Sequence, residues 1–210
     1  MKKLIHIEAS PRKKRSQSLD VARHLAGAWT QAHPGGVVET LDLWAAELPP
    51  FDEAVLDAKY AILHGQPHTP AEKAAWERVA RLAEQFKSAD SILISTPMWN
   101  FGIPYILKHY FDLIIQPGLT FSYSPETGYT GLVTGRKAAV VYARGGAYGP
   151  GTGAEAYDLQ TKTVRQLLGF IGVTDVRDIL VEPTLAPDAT REAALSAARD
   201  LASETARTLS

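Results

Sequence analysis

Three short stretches of this chain carry side chains from which binding chemistry can be built. Ser10-Pro11-Arg12 and Ser16-Gln17-Ser18 gather hydroxyls and an amide around the basic run from Arg12 to Arg15. Such a loop entering the amino end of a helix suits a phosphate, because the first N–H groups of a helix are unpaired and partly positive. Met98-Trp99-Asn100-Phe101 is rich in large apolar rings, which suits a large, flat, partly apolar ligand. Arg144-Gly145-Gly146 opens a glycine-rich run to Gly153, and glycine lets the main chain come close to a ligand edge. Each stretch also has a plainer reading. The serines can simply cap a helix, Met98, Trp99 and Phe101 can be core or interface, and Arg144-Gly145-Gly146 can be a strand-to-helix turn.

The elements that must position these stretches follow from the hydrophobic pattern. Residues 3–8 read as a first strand, and apolar residues from Leu19 to Ala32 return at helical spacing until His33-Pro34-Gly35-Gly36 ends the helix. A second strand covers 37–43, a loop 44–51 and a short amphipathic helix 52–63. Thr69-Pro70-Ala71-Glu72 has the spacing of a capping box, so a further helix is expected to about residue 88. A third strand covers 91–95, and Pro104 suits the first turn of a helix to about Ile115. Residues 116–133 read as a hairpin flap, marked by alternation at 119–123 and glycines at 128, 131 and 135. A fourth strand covers 137–143, a helix about 155–171, a fifth strand 175–182, and a last helix begins near Asp188.

Strands alternating with helices call for a parallel sheet with right-handed crossovers. The expectation is one three-layer α/β domain over residues 1–210, with a five-stranded parallel sheet and helices on both faces, taken in the order 2-1-3-4-5. In that order the loops after strands one, three and four lie together at the carboxyl edge, beside the switch point where ligands of open α/β sheets bind. A phosphate on the first loop would carry a planar ring between the other two. Riboflavin monophosphate (FMN) has that shape, and main-chain groups around Asn100, Phe101, Gly145 and Gly146 can meet its ring heteroatoms.

The totals exclude several classes. With no cysteine among 210 residues, disulfides, thiolate catalysis and cysteine-ligated metal sites are ruled out. A formal net charge of −1 gives no electrostatic reason to expect nucleic acid or a membrane surface. No apolar run reaches the roughly 18 residues needed to span a bilayer, and Glu8 comes too early for a signal sequence, so a cytoplasmic protein is expected. His64 and His68 are four apart, but Gly65 and Pro67 spoil the helix that would align them, so no metal site is expected. The glycine pattern G-x-G-x-x-G is missing after the first strand, which argues against a dinucleotide-binding enzyme of that kind. A phosphotransfer receiver would need clustered acids where Glu8-Ala9-Ser10 stands and an aspartate where Thr96-Pro97-Met98 stands.

Taken in order, Ser10-Pro11-Arg12, Ser16-Gln17-Ser18, Pro97-Met98-Trp99-Asn100-Phe101, Ile103-Pro104, Leu107-Lys108, Tyr110-Phe111-Asp112, Gly118-Leu119-Thr120-Phe121, Gly131-Leu132, Arg144-Gly145-Gly146 and Gly169-Phe170-Ile171-Gly172 make the chain resemble the FMN-dependent NADH-azoreductases and quinone reductases of the flavodoxin-like fold. The resemblance runs nearly end to end. It implies flavin-binding roles for Ser10, Ser16, Gln17, Ser18, Met98, Trp99, Asn100, Phe101, Ala143, Arg144, Gly145 and Gly146. Trp99 stands where tyrosine is common, and Ala143 where serine is frequent, which removes one hydroxyl contact. It further implies that Tyr123 and Phe170 flank the substrate space, and that the protein is a homodimer with one FMN per subunit. The aromatic surface of 52–63 and 116–133 agrees with a dimer.

The expected activity is transfer of two electrons, as hydride, from NADH or NADPH through FMN to quinones and azo compounds, by a ping-pong mechanism. The cofactor carries the redox chemistry, so no catalytic acid or base is assigned among the residues. The competing reading is a flavodoxin-type electron carrier that passes single electrons to protein partners. Such carriers tend to be acidic around the flavin, whereas this chain is near neutral with cations in its first loop.

Overall fold

Leu4, Ile5, His6 and Ile7 point alternately to two sides of one strand, and all four are buried. Burial on both sides marks a central strand of a parallel sheet covered on both faces. In a computed structural model describing residues 1–209, this strand is β1 (Lys3–Glu8). It is followed by α1 (Gln17–Ala32), β2 (Val37–Asp42), α2 (Glu53–Leu63), α3 (Pro70–Lys87), β3 (Ser91–Pro97) and α4 (Tyr105–Ile114). Then come β4 (Phe121–Ser124), β5 (Gly128–Gly131), β6 (Lys137–Ala143), α5 (Leu159–Phe170), β7 (Asp175–Val181) and α6 (Asp188–Thr208).

Five strands form one parallel sheet in the order β2-β1-β3-β6-β7. The numbers differ from the expected 2-1-3-4-5 because the flap contributes two strands of its own, β4 and β5, ahead of residues 137–143 and 175–181. On one face Ile5, Ile7, Ile94 and Val140 pack with Phe86, Tyr110, Phe111 and Leu168 from α3, α4 and α5. On the other, Leu4, Leu93, Val141 and Ile179 pack with Leu25 and Trp29 of α1 and Ala202 of α6. Among the described residues no helix is long and apolar enough to cross a membrane.

Helix starts follow local chemistry. Ser16 caps α1 by accepting from Leu19 N, and Thr69 with Glu72 forms the expected capping box at α3. Two starts differ from expectation. Pro104 is the N-cap of α4, with an extended ψ of 144°, so the first helical residue is Tyr105. The helix expected from 155 is divided: a single 3₁₀ turn covers Glu155–Tyr157, and Asp158 then caps α5 by accepting from Thr161 N at 2.9 Å. Residues 121–131 form the expected antiparallel hairpin. It docks on the carboxyl end of α5 through Val133 N donating to Ile171 O at 2.8 Å. The approach is close enough that a Cβ on Gly131 would lie 2.3 Å from Gly172 N, so this position requires glycine.

His6 places a titratable ring inside the sheet. Its Nε2 lies 3.0 Å from Ser95 Oγ, and its Nδ1 lies 3.8 Å from Glu8, which also meets Arg23 at 3.5 Å. Burial, helped by the Arg23 charge, lowers its pKa from 6.5 to about 4. Above pH 6.5 the ring is neutral in both the folded and the unfolded chain, and its full contribution to stability is present. Between pH 6.5 and about 4 only the unfolded chain takes up the proton, so stability falls, by about 3 kcal/mol in all. Urea unfolding at pH 7.5 and pH 4.5 will show this loss, and His6→Gln will flatten the part of it that carboxylates do not explain.

Candidate functional site

The carboxyl ends of β1, β3, β6 and β7 open on a cleft of about 410 Å³. That size falls in the range of small-molecule sites, roughly 300–1,000 Å³. Ser10, Arg12, Arg15, Ser16 and Gln17 line it from the loop after β1 and the start of α1. Pro97, Met98 and Trp99 line it from the end of β3, and Ala143 and Gly145 from the end of β6. Thr184, Leu185 and Arg191 close it from beyond β7.

The first loop is built around Ser16. Its hydroxyl accepts from Leu19 N at 3.3 Å and lies 3.2 Å from Ser18 Oγ, and both serines are buried. The first-turn N–H groups of a helix have no intrahelical acceptor, so a helix start in this position offers donors to the cleft. Gln17 Oε1 is buried there without a hydrogen-bond partner. An unsatisfied buried acceptor costs on the order of 1–3 kcal/mol, which a donor in the cleft would recover. Arg12 and Arg15 are exposed at the rim and make the local field positive.

The aromatic loop is a two-residue turn. Trp99 and Gly102 exchange both main-chain bonds at 3.0 Å, and the two residues between them have positive φ: 47° at Asn100 and 69° at Phe101. This is the signature of a type I′ turn, in which asparagine is comfortable and a bulky ring is not. Strain of this kind, of order 1–3 kcal/mol, persists only where the surroundings hold it. Here Phe101 packs on Tyr157 and Tyr148, with centroids 5.4 and 6.1 Å away, and its carbonyl accepts from Leu159 N at 3.2 Å. Trp99 and Phe101 remain 38% and 43% exposed, so the turn presents two rings to solvent. Met98 N donates to Ala143 O at 2.9 Å and ties this loop to β6.

The third loop hangs on a buried charge. Arg144 is fully buried and does not line the cleft, although Ala143 and Gly145 on either side of it do. Its guanidinium donates to Asp158 at 3.0 Å, to Gln160 at 3.1 Å and to Glu182 at 3.2 Å, and lies 5.3 Å from the centre of the Tyr142 ring. Glu182 also accepts from Tyr148 N at 2.9 Å and Gly149 N at 2.7 Å. Thus one carboxylate holds both the guanidinium and the glycine-rich loop. At Gly145 the space a Cβ would need is taken by Leu185, 2.8 Å away, and Leu185 N donates to Gly145 O at 3.1 Å. The close approach there is to the β7 loop.

The structure therefore gathers seven of the expected residues on one cleft: Ser10, Ser16, Gln17, Met98, Trp99, Ala143 and Gly145. Ser18 lies behind Ser16, Asn100 and Phe101 form the turn tip beside the cleft, and Gly146 stands against Tyr148. Tyr123 and Phe170 do not line it. They belong to a separate cluster with Phe121 and Tyr129, in which Phe170 lies 4.9 Å from Phe121 and Tyr123 lies 5.0 Å from Tyr129. Thr184, Leu185 and Arg191 are additions to the expected set, and the only sequence signal for them is their place just after the fifth sheet strand.

A family model described as "Flavodoxin-like fold" matches residues 2–205. The FMN-dependent NADH:quinone oxidoreductase of Nitratidesulfovibrio vulgaris is 51% identical over 209 residues, which cover 97% of this chain and 100% of that protein. FMN-dependent NADH:quinone oxidoreductase 3 of Pseudomonas fluorescens is 42% identical over 212 residues, covering 98% of each. Among solved structures, an azoreductase from Bacillus anthracis str. Sterne superposes with a TM-score of 0.89 at 29% identity, covering 99% of this chain and 100% of that one. An FMN-dependent NADH-azoreductase from Bacillus anthracis str. Ames Ancestor, in complex with FMN, gives 0.85 at 30% identity, covering 98% and 100%.

Removing the buried guanidinium leaves two carboxylates facing each other in the interior. Arg144→Met will lower the unfolding free energy by about 3–5 kcal/mol, the usual cost of breaking a buried pair from one side. Urea titration at pH 7.5 measures it, and a loss under about 1 kcal/mol would show that the loop does not depend on this contact.

Proposed function

The chain belongs to the flavodoxin-like fold family and, within it, to the FMN-dependent NADH:quinone oxidoreductases, and from that premise we propose that it is an FMN-dependent oxidoreductase which passes two electrons from NADH or NADPH to quinones and azo compounds. The observation that carries this reading is the convergence of the first, aromatic and Arg144 loops on one cleft at the carboxyl edge, beside the β1–β3 switch point. We take residues 1–210 as one cytoplasmic domain that works as a homodimer.

The residues present fit the group. Ser10, Ser16 and the start of α1 would hold the phosphate, with Ser18 behind Ser16 orienting its hydroxyl and Arg12 and Arg15 adding positive charge. Gln17 Oε1, buried and without a partner, suits a hydroxyl of the ribityl chain. Met98 and Trp99 would form the wall for the ring, with Asn100 and Phe101 at the turn tip beside it. The Ala143, Arg144 and Gly145 carbonyls are already taken by Met98, Thr184 and Leu185, so the N–H groups of Gly145 and Gly146 are the ones that would meet its edge. Bound FMN supplies the redox chemistry, accepting hydride from a nicotinamide and returning it to an acceptor. A quinone takes one such electron pair with two protons, and cleavage of an azo bond to two amines takes two pairs.

The protein's own part is to bind, orient and keep one side of the site accessible. No side chain of the cleft is placed as a proton donor, and protons come from solvent. A single accessible side serves the nucleotide and the acceptor in turn, which is why the kinetics should be ping-pong. We assign Tyr123, 60% exposed on the flap, and Phe170, which packs on Tyr129 as Tyr123 does, to the substrate space of a second copy.

Titration of the protein with FMN is expected to quench flavin fluorescence with a micromolar or tighter Kd. NADH should then bleach the bound flavin, and initial rates with a quinone should give parallel double-reciprocal lines. Failure to bind FMN overturns the reading, and intersecting lines overturn the ping-pong sequence alone. Phe101→Gly separates the ring from its turn. It builds the preferred Asn-Gly pair, so stability will hold within about 1 kcal/mol while FMN affinity falls about tenfold.

A further inference from the structure

Trp44 stands outside the cleft, yet it touches two of the loops that form it. It follows β2, which is paired only with β1 at the edge of the sheet, whereas the aromatic loop belongs to β3 on the far side of β1. Strands lie about 4.8 Å apart, so two strand positions amount to roughly 10 Å. The indole crosses that gap over the carboxyl end of β1. Its Nε1 donates to Ala9 O at 3.0 Å, and its ring lies 6.0 Å from the ring of Trp99 and 5.5 Å, edge on, from that of Tyr105.

The Ala9 carbonyl belongs to the peptide that carries Ser10, and that plane is rigid. The preceding peptide is fixed as well, because Ala9 N donates to Ser95 O at 2.9 Å. Trp44 is itself held in place. Its main-chain N donates to Asp42 Oδ1 at 3.1 Å, Asp42 also pairs with Lys13 of the first loop, and Leu43 N donates to Glu8 O at 3.1 Å. The end of β2 and the turn after it thus grip the end of β1 at one point and the first loop at two, and present a ring to the aromatic loop.

We infer that Trp44 is a positioning residue that fixes the spacing between the loop after β1 and the Trp99 turn, so that one ligand can engage a phosphate site and a ring site together. This rests on the reading of the cleft as an FMN site. The consequence is specific: without the bridge each half-site keeps its own affinity, but the gain from engaging both at once declines. A residue that only packs the wall would instead weaken every ligand carrying the ring.

FMN and riboflavin share the ring and the ribityl chain and differ by the phosphate, so their dissociation constants, measured by flavin fluorescence, separate the two cases. In Trp44→Ala the Kd for FMN is expected to rise about tenfold and that for riboflavin less than twofold. Trp44→Phe keeps a ring against Trp99 but lacks the N–H, and its FMN-to-riboflavin ratio of Kd values should rise about threefold. If Trp44→Ala does not fold, the Phe variant carries the test alone. Equal weakening of both ligands, or an unchanged FMN Kd, overturns the bridge while leaving the cofactor reading intact. Wild-type protein that binds neither ligand overturns that reading and the bridge with it.

Discussion

The loop geometry of this protein depends on one buried positive charge. A guanidinium taken out of water is costly, and the cost is met only if its donors find acceptors and those acceptors are themselves satisfied. Arg144 meets the first through one bond from each of its three nitrogens, and its two carboxylate acceptors meet the second, while Gln160 Nε2 stays buried without a partner. Asp158, Gln160 and Glu182 converge on it from the start of α5 and the end of β7, and the spare lone pairs of the two carboxylates go to Thr161, Tyr148 and Gly149. The arrangement ties the end of β6, the glycine-rich loop, the α5 N-cap and the β7 loop into one unit. Three of the five residues from 145 to 149 are glycines with no side chain to pack, so an electrostatic anchor beneath them is what gives the rim a shape.

That anchor explains why strain can be kept a few residues away. Phe101 holds a positive φ because Tyr148 and Tyr157 receive its ring and Leu159 N donates to its carbonyl. Tyr148 is fixed through Glu182, and Leu159 follows the Asp158 cap. Both supports therefore lead back to Arg144. The exposed aromatic tip and the buried charge belong to one construction, in which a rigid floor lets a strained turn present rings to solvent instead of collapsing onto them.

The fold was legible because its signals are local and repeated. Alternation in 3–8 and 137–143, the Thr69–Glu72 box and the glycines of the flap each have a mechanism that acts within a few residues, and the structure follows them. The helix expected from 155 starts later for a reason of the same kind. Asp158 is a strong N-cap, and its pull toward Thr161 N and Arg144 outweighs continuing the preceding turn. The site was legible in the loops that strand order puts beside the switch point. Ser16, Trp99 and Gly145 could be placed from strand order alone, whereas Thr184, Leu185 and Arg191 enter the cleft because Thr184 N and Leu185 N bond back to Arg144 O and Gly145 O. Nothing in the local sequence around Leu185 announces that contact.

The inward turn of Arg144 shows most clearly why residue type alone misleads at such a rim. An arginine before two glycines invites the idea of a cation facing an anionic ligand. Here the two acids that claim it are 14 and 38 residues away in sequence, and only the β6–β7 pairing and the start of α5 bring them together. Once they do, an outward arginine would leave two carboxylates unpaired in the interior, a larger penalty than a solvated ion pair in the cleft could offset. Besides Arg191, which is paired with Asp188 and Glu192, the charges left to meet an anion are then Arg12 and Arg15, on a loop whose position is set from the other side by Asp42 and Trp44. Positive charge at the mouth and positive charge beneath the floor thus do different work: the first stays hydrated and adaptable, while the second holds still the loops between which a flat ligand would lie.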